Sequence, residues 1–210
     1  MGREKSFSEI GEHRLFYSAC HHTVEFLGKT ALGLKIEGVE NVPSEGPALI
    51  AAKHNHWLDV LLIPVAVPDR HVSPLARASL FEHPALGKLF SWWDAIPLPR
   101  EEFSSGGRET WREVEKRLSA GRLVPIFPEG TRTPGRVGEL KEGVARFAFR
   151  AQVPTIPVAA RGANSLTEVL KRKATVAFGE AIDPPTDRSD EAQQIYLQKL
   201  SHTIEKLYEG

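Results

Sequence analysis

Cysteine is almost absent from this 210-residue sequence, which contains only Cys20. A single cysteine cannot form a disulfide within the chain, so we expect a protein of a reducing compartment. Long apolar runs are also absent: the longest stretch, at 60–68, is interrupted by Pro64. Since a membrane-spanning helix needs about 20 consecutive apolar residues, the sequence predicts none.

Neither sign of charge is in excess, because 27 Lys and Arg balance 27 Asp and Glu. This balance argues against a nucleic-acid-binding protein, which usually carries a basic surplus. An anion would therefore have to bind at a local cluster of basic residues. No apolar segment of a secretory signal follows the charged N-terminal residues, and we find no internal repeat.

From Leu34 onward, short apolar runs alternate with segments of helical periodicity. The apolar runs predict strands at 34–38, 47–53, 71–76, 95–99, 122–127, 155–160 and 173–179. Helices are predicted near 56–63, 84–93, 106–120, 139–151, 164–171 and 190–208. This alternation is typical of an α/β fold, so we expect a mostly parallel central sheet with helices on both faces.

An additional helix is predicted at 7–32, where apolar residues recur at helical spacing. We therefore expect an N-terminal helical segment at 1–33 and a main domain at 34–210. The segment would either cover the sheet or lie in a membrane interface as an anchor.

The stretch AAKHNHWLDV, at 51–60, places two histidines and an aspartate directly after a predicted buried strand. Ligands of open α/β sheets bind at the carboxyl ends of strands, so we expect a site here. Within one continuous helix His54 and Asp59 would point about 140° apart. A break at Asn55, which we expect to be the helix N-cap, would let Asp59 reach the imidazole.

Two kinds of enzyme site fit this stretch. His54 and His56 could ligate zinc, as in a metal-dependent hydrolase, although a third ligand is not evident in the sequence. Alternatively, His54 is a general base whose tautomer and orientation are set by Asp59. No G-x-S-x-G motif is present and Cys20 is remote in sequence, so the nucleophile would then be a hydroxyl of the substrate.

A second candidate site follows the strand at 122–127, where the sequence reads PEGTRTPGR. The spacing of its glycines is close to that of a nucleotide-binding P-loop, but Arg136 and Val137 replace the Lys and the Ser or Thr. We therefore exclude an NTPase. Gly130 still allows backbone N–H groups to approach an anion, and Arg132 can hold a phosphate with two hydrogen bonds.

The sequence resembles the glycerolipid acyltransferases, the family that includes lysophosphatidate acyltransferase. His54 and Asp59 match the first motif of the family, H-x4-D, and the third motif, F-P-E-G-T-R, is intact. The second and fourth motifs resemble AIPLPR and VPTIPVA, and K-x-G is also present; these segments lie at 95–100, 153–159 and 141–143. The resemblance extends over about 34–180.

This resemblance implies acyl transfer from acyl-CoA or acyl-carrier protein to a lysophospholipid hydroxyl, with 1-acyl-glycerol-3-phosphate giving phosphatidate. It implies that His54 is the general base and that Asp59 orients it. The implied acceptor and phosphate site consists of Arg77, Arg100, Glu129, Gly130, Thr131, Arg132 and Lys141. No metal or cofactor is implied. The protein would act in the cytoplasm, peripherally on the inner face of the cell membrane.

Three residues depart from the pattern of the family. Lys53 and His56 stand where Asn and Ser are common, and Arg77 stands where a lysine is usual. The acceptor therefore stays open, with glycerol-3-phosphate as an alternative. The hydrolase using His54 and His56 remains an alternative enzyme, and a lipid- or acyl-CoA-binding module without catalysis is the non-enzymatic one.

Overall fold

The structure, a computed structural model, describes residues 33–67, 70–99, 108–163, 165–171 and 174–210. The helix predicted at 7–32 and the predicted phosphate ligand Arg100 lie outside these residues. The predicted division at residue 33 stays a prediction for the same reason.

Seven strands and six α-helices are described, with two short 3-10 helices at Val39–Asn41 and Ala78–Leu80. The strands are β1 (Lys35–Glu37), β2 (Ala48–Ala52), β3 (Leu75–Arg77), β4 (Ile96–Leu98), β5 (Leu123–Ile126), β6 (Thr155–Arg161) and β7 (Thr175–Phe178). The helices are α1 (Asp59–Ala66), α2 (Pro84–Trp92), α3 (Arg108–Ser119), α4 (Gly143–Ala151), α5 (Leu166–Leu170) and α6 (Asp190–Glu209). Within the described ranges, none of these helices combines the length and apolarity needed to cross a bilayer.

The central sheet has five strands in the order β1-β7-β6-β2-β5. All neighbours are parallel except β6 and β7, so the predicted mostly parallel sheet is confirmed. Strands β3 and β4 form a separate parallel pair. A parallel bridge between Val72 and Leu123 places this pair beside β5 in the same direction. The strand predicted at 71–76 therefore begins later, at Leu75, because Val72 only bridges to the main sheet.

Strand β2 lies at the centre of the core, and all of its residues are buried. Its successive side chains point to opposite faces, as pleating requires. Ile50 packs in the cluster that includes α1, whereas Leu49 packs in the cluster formed by α3, α4 and α6. Helices cover both faces of the sheet, as predicted. Because side chains on both faces of β2 are therefore buried, its sequence is a continuous apolar run.

Helix α6 packs on the sheet through apolar contacts and also through a buried side-chain hydrogen bond. The Tyr196 hydroxyl donates to Thr155 Oγ1 in β6 at 2.7 Å. Burial raises the pKa of Tyr196 from its ordinary value of 10.0 to about 12. The neutral phenol is therefore the form that the folded protein favours.

Replacing Tyr196 with Phe should lower the free energy of unfolding by about 1 kcal/mol at neutral pH, since one buried hydrogen bond is lost. The folded pKa lies above the unfolded one, so the contribution of the tyrosine is complete below pH 10.0 and is lost as the pH rises through about 12. The difference between wild type and Tyr196→Phe in urea titrations should therefore shrink over that window and then change sign, because the rise in pKa costs more than one hydrogen bond contributes. A difference that stays constant with pH would contradict this assignment.

Candidate active site

The predicted site residues that the structure describes lie at one edge of the sheet, where the carboxyl ends of β2, β5 and β3 meet. Strands β2, β5 and β6 are parallel, and β3 runs in the same direction as β5. Strand β2 leads into Lys53 and β5 leads into Phe127, while Arg77 is the last residue of β3. The histidine loop at 53–58 and the loop at 127–138 are therefore neighbours, although about 75 residues separate them in sequence.

His54 and Asp59 are in contact at the end of β2. Nδ1 of His54 lies 3.3 Å from Oδ2 of Asp59, a long hydrogen bond. The imidazole also packs on the Phe127 ring, with 4.2 Å between ring centroids. The carboxylate of Asp59 is fully buried, whereas the His54 side chain is 16% exposed. With Nδ1 directed at a carboxylate, Nε2 is the nitrogen left to accept a proton.

The carboxylate of Asp59 also shapes the loop that carries His54. Its Oδ2 accepts from the backbone N–H groups of Asn55 and His56, each at 2.7 Å. This wrapped loop turns the chain back and allows two residues five apart to touch. The predicted break before the helix is therefore present, and a carboxylate at the first residue of α1 causes it.

The predicted N-cap role of Asn55 is wrong. Helix α1 starts at Asp59, its N-cap residue is Leu58, and no side chain caps it. The amide oxygen of Asn55 instead accepts from the backbone N–H of Gly135 at 3.3 Å, in the other loop. Asn55 therefore links the two loops, and the helix starts later than predicted because Asp59 holds residues 55 and 56 in a turn.

His56, the alternative metal ligand, belongs to this same turn. Its Nδ1 accepts from the backbone N–H of Leu58 at 3.4 Å, and its ring lies beside Trp57. In the described ranges, no three His, Cys, Asp or Glu side chains form a group that could hold a metal ion.

Glu129 joins the histidine loop to the loop that follows β5. Its buried carboxylate accepts from the backbone N–H of His54 at 2.8 Å through Oε2. Its Oε1 accepts from the Thr133 hydroxyl at 2.5 Å and from the backbone N–H of Gly138 at 2.6 Å. Glu129 thus holds the backbone of the histidine and closes its own loop at the same time.

The remaining predicted anion-site residues lie on the surface of the same edge. Gly130 has a positive φ of 68° and donates its N–H to Phe127 O at 3.0 Å, so it turns the loop sharply. Thr131, Arg132, Lys141 and Arg77 are exposed. The backbone N–H of Lys141 donates to Pro128 O at 2.7 Å, which anchors this lysine to the loop. Three of the predicted cationic residues are therefore exposed to solvent beyond or at the ends of β3 and β5.

Lys53 is a site residue to which the sequence assigned no definite role. Only 1% of it is exposed, and its Nζ donates to the carbonyl of Thr133 at 2.7 Å. Burial lowers the pKa of Lys53, while the charges of Glu129 and Asp59 act in the opposite direction. A lysine at the end of an entirely apolar strand was the signal that could have revealed this buried cation.

The sequence model of the family described as Acyltransferase matches residues 33–161. A 1-acyl-sn-glycerol-3-phosphate acyltransferase of Bacillus subtilis is 29% identical over 192 residues, covering 91% of this chain and 92% of that protein. One of the same name from Pseudomonas aeruginosa is 29% identical over 138 residues, and the match covers 64% of this chain and about half, 52%, of that protein.

The crystal structure of PlsC, the 1-acyl-sn-glycerophosphate acyltransferase of Thermotoga maritima, superposes with a TM-score of 0.69. The two sequences are 24% identical, and the superposition covers 89% of this chain and 79% of that one. This likeness shows that the two proteins share the α/β fold.

Replacing Glu129 with Gln should lower the free energy of unfolding by about 1–3 kcal/mol. Both carboxylate oxygens accept from backbone N–H groups, so the amide nitrogen of Gln must face a donor in either orientation. Glu139→Gln, at an exposed position of the same segment, is the matched control and should change stability little. Urea titration of both variants makes the comparison, and an equal loss in the two would contradict the linking role of Glu129.

Proposed function

The chain belongs to the acyltransferase family, and from this premise we propose that it acylates 1-acyl-glycerol-3-phosphate to phosphatidate, using a thioester as donor. The observation that carries the proposal is the contact between His54 and Asp59 at the carboxyl edge of the sheet. Exposed cationic side chains at the same edge support a phosphate-bearing acceptor. The names of the relatives from B. subtilis and P. aeruginosa agree with this acceptor.

The proposed chemistry needs no nucleophile from the protein. Neutral His54 directs its Nδ1–H at Asp59, and Nε2 takes the proton of the acceptor hydroxyl. The acceptor oxygen attacks the thioester carbonyl carbon, so a C–O bond forms as the C–S bond breaks. The proton then passes from His54 to the departing sulfur, which leaves as a free thiol. Acyl-CoA and acyl-carrier protein both provide this thioester, and the proposal accommodates either.

The exposed cations would hold the phosphate of the acceptor. Arg132 belongs to the loop that Glu129 binds to His54, and Lys141 is hydrogen-bonded to that loop through its backbone N–H. Arg77 ends the neighbouring strand β3. This arrangement couples the position of the phosphate site to that of the proposed base. Gly130 and Thr131 would shape the same loop, and Arg100, outside the described residues, stays a predicted member.

Contact with a membrane surface is part of the proposal, because acceptor and product are lipids. Trp57, in the histidine loop, is 47% exposed, and Leu89 of α2 is 52% exposed. Exposed apolar side chains, one of them in the loop that carries His54, would favour the membrane interface. We propose a peripheral position on the inner face of the cell membrane, where cytoplasmic thioesters are available.

Replacing His54 with Ala should lower acyl transfer by about 10²–10⁴-fold, since the general base is removed. The measurement is thiol release from acyl-CoA with lysophosphatidate as acceptor. His202→Ala, which removes an exposed histidine on α6, is the control and should retain wild-type activity. A wild type without acceptor-dependent thiol release, with either acyl-CoA or acyl-carrier protein, would refute the proposed function. An undiminished rate in His54→Ala would refute the role of the base.

The same assay separates the acyltransferase from the hydrolase alternative. A chelator should leave the rate unchanged, because the proposed chemistry is carried by His54 and Asp59 alone. Activity that is lost with chelator and restored by zinc would favour the hydrolase with His54 and His56 as ligands.

Replacing Arg132 with Ala should raise the KM for lysophosphatidate about tenfold or more, because a charge-assisted contact to the phosphate is lost. The KM for the thioester should stay unchanged. Arg188→Ala, which removes an exposed arginine just before α6, is the matched control. Steady-state kinetics with each substrate varied in turn give both constants, and an unchanged acceptor KM in Arg132→Ala would remove this residue from the phosphate site.

A further inference from the structure

A buried lysine lies directly before the proposed catalytic histidine. Lys53 is the largest of the fully buried side chains in the described part of the chain. Lysine is rarely buried without partners, because removing an ammonium from water is costly. Its position therefore calls for an explanation beyond packing at the end of β2.

The first partner of Lys53 belongs to the loop that follows β5. Its Nζ donates to the carbonyl of Thr133, while the N–H of Thr133 donates to the carbonyl of His54 at 2.9 Å. Thr133 is thus bound through both its backbone groups to two consecutive residues of the histidine loop. Thr133 directly follows Arg132, so these bonds fix the backbone beside the proposed phosphate ligand.

The second partner of Lys53 lies on the last turn of α6. Its Nζ sits 4.6 Å from the centroid of the Tyr208 ring, within the range of a cation–π contact. The Tyr208 hydroxyl lies 3.5 Å from Oδ1 of Asn55, the residue that also receives the N–H of Gly135. The end of α6 therefore covers the junction of the two loops from one side.

We propose that Lys53 is a positioning residue that fixes the conformation of the acceptor-binding loop. Lys53 does this through the Thr133 carbonyl, which places Arg132 for the phosphate of the acceptor. Tyr208 holds the Lys53 ammonium in place through the cation–π contact. The inference rests on the proposed function for the identity of the acceptor, and extends it to the specificity of the site.

Electrostatics around the lysine are consistent with this role. Glu129 and Asp59 both place negative charge near Nζ, and each is itself bound to the backbone of the histidine loop. A positive charge here balances two buried carboxylates that shape the site. Burial lowers the pKa of Lys53, and the charges of Glu129 and Asp59 oppose this effect by favouring the protonated form.

The test compares Lys53→Met with wild type. Methionine keeps the length and apolar stem of the side chain but removes the ammonium. We expect the KM for lysophosphatidate and its dissociation constant, measured by calorimetry without donor, to rise about tenfold, the effect of losing a charge-assisted hydrogen bond. The thioester KM should not change, and kcat should change by less than about threefold. Lys199→Met, at an exposed position of α6, is the matched control.

A second variant keeps the test decisive if Lys53→Met fails to fold. Tyr208→Leu removes the ring on the last turn of α6 and should raise the acceptor KM by a smaller factor. Where both single variants fold, the double variant should be no worse than Lys53→Met, since both changes disrupt one contact.

Two results would overturn the inference. One is that, in Lys53→Met, kcat, the affinity for both substrates and the melting temperature all fall together. That result would mean that the role of the lysine is purely structural. The other is an unchanged acceptor KM and dissociation constant in Lys53→Met. The binding measurement also separates this inference from the proposed function, because a wild type that binds lysophosphatidate without transferring an acyl group would refute only the latter. Weaker binding to Lys53→Met would then still support the positioning role.

Discussion

The site depends on how the backbone of His54 is hydrogen-bonded. Its N–H donates to Glu129, and its carbonyl accepts from Thr133, so both backbone groups pair with the loop after β5. Backbone groups beyond the end of a strand lose their neighbours in the sheet and need other partners. Here the adjacent loop supplies them, and His54 is held between two strand ends. The position of its imidazole therefore depends on a loop that carries the proposed phosphate ligands.

Three buried ionisable residues, Lys53, Asp59 and Glu129, lie around these backbone hydrogen bonds of His54, and they differ in how their burial is compensated. Asp59 and Glu129 each accept from several donors, whereas Lys53 has one carbonyl and one aromatic face. Several hydrogen bonds to a carboxylate offset much of its cost of burial, while a lysine with fewer partners keeps more of that cost. An apolar side chain at the end of β2 would avoid that cost, but it would leave the buried carboxylates of Asp59 and Glu129 without this nearby cation.

The fold was predictable because buried parallel strands appear in the sequence as short apolar runs between helical segments. Each predicted strand has its counterpart in the structure, and boundaries differ by a few residues, most at β3. The pairing was not predictable, since the antiparallel contact of β6 with β7 and the separate pair of β3 and β4 depend on side-chain packing between distant segments. The error at Asn55 has a local cause: an amide before a helix is a common N-cap, but here the carboxylate of Asp59 holds the loop.

Within the site, contacts between residues close in sequence could be predicted, whereas contacts between distant residues could not. His54 and Asp59 are five residues apart, so their contact could be inferred from a short stretch and a break in the helix. The bond from Lys53 to Thr133 joins residues 80 apart, and Tyr208 lies 153 residues from Asn55. No local pattern marks such partners, because only the completed sheet and the docked α6 bring them together. The chemistry of this site can therefore be inferred from short segments, whereas the contacts that hold it in place require the whole fold.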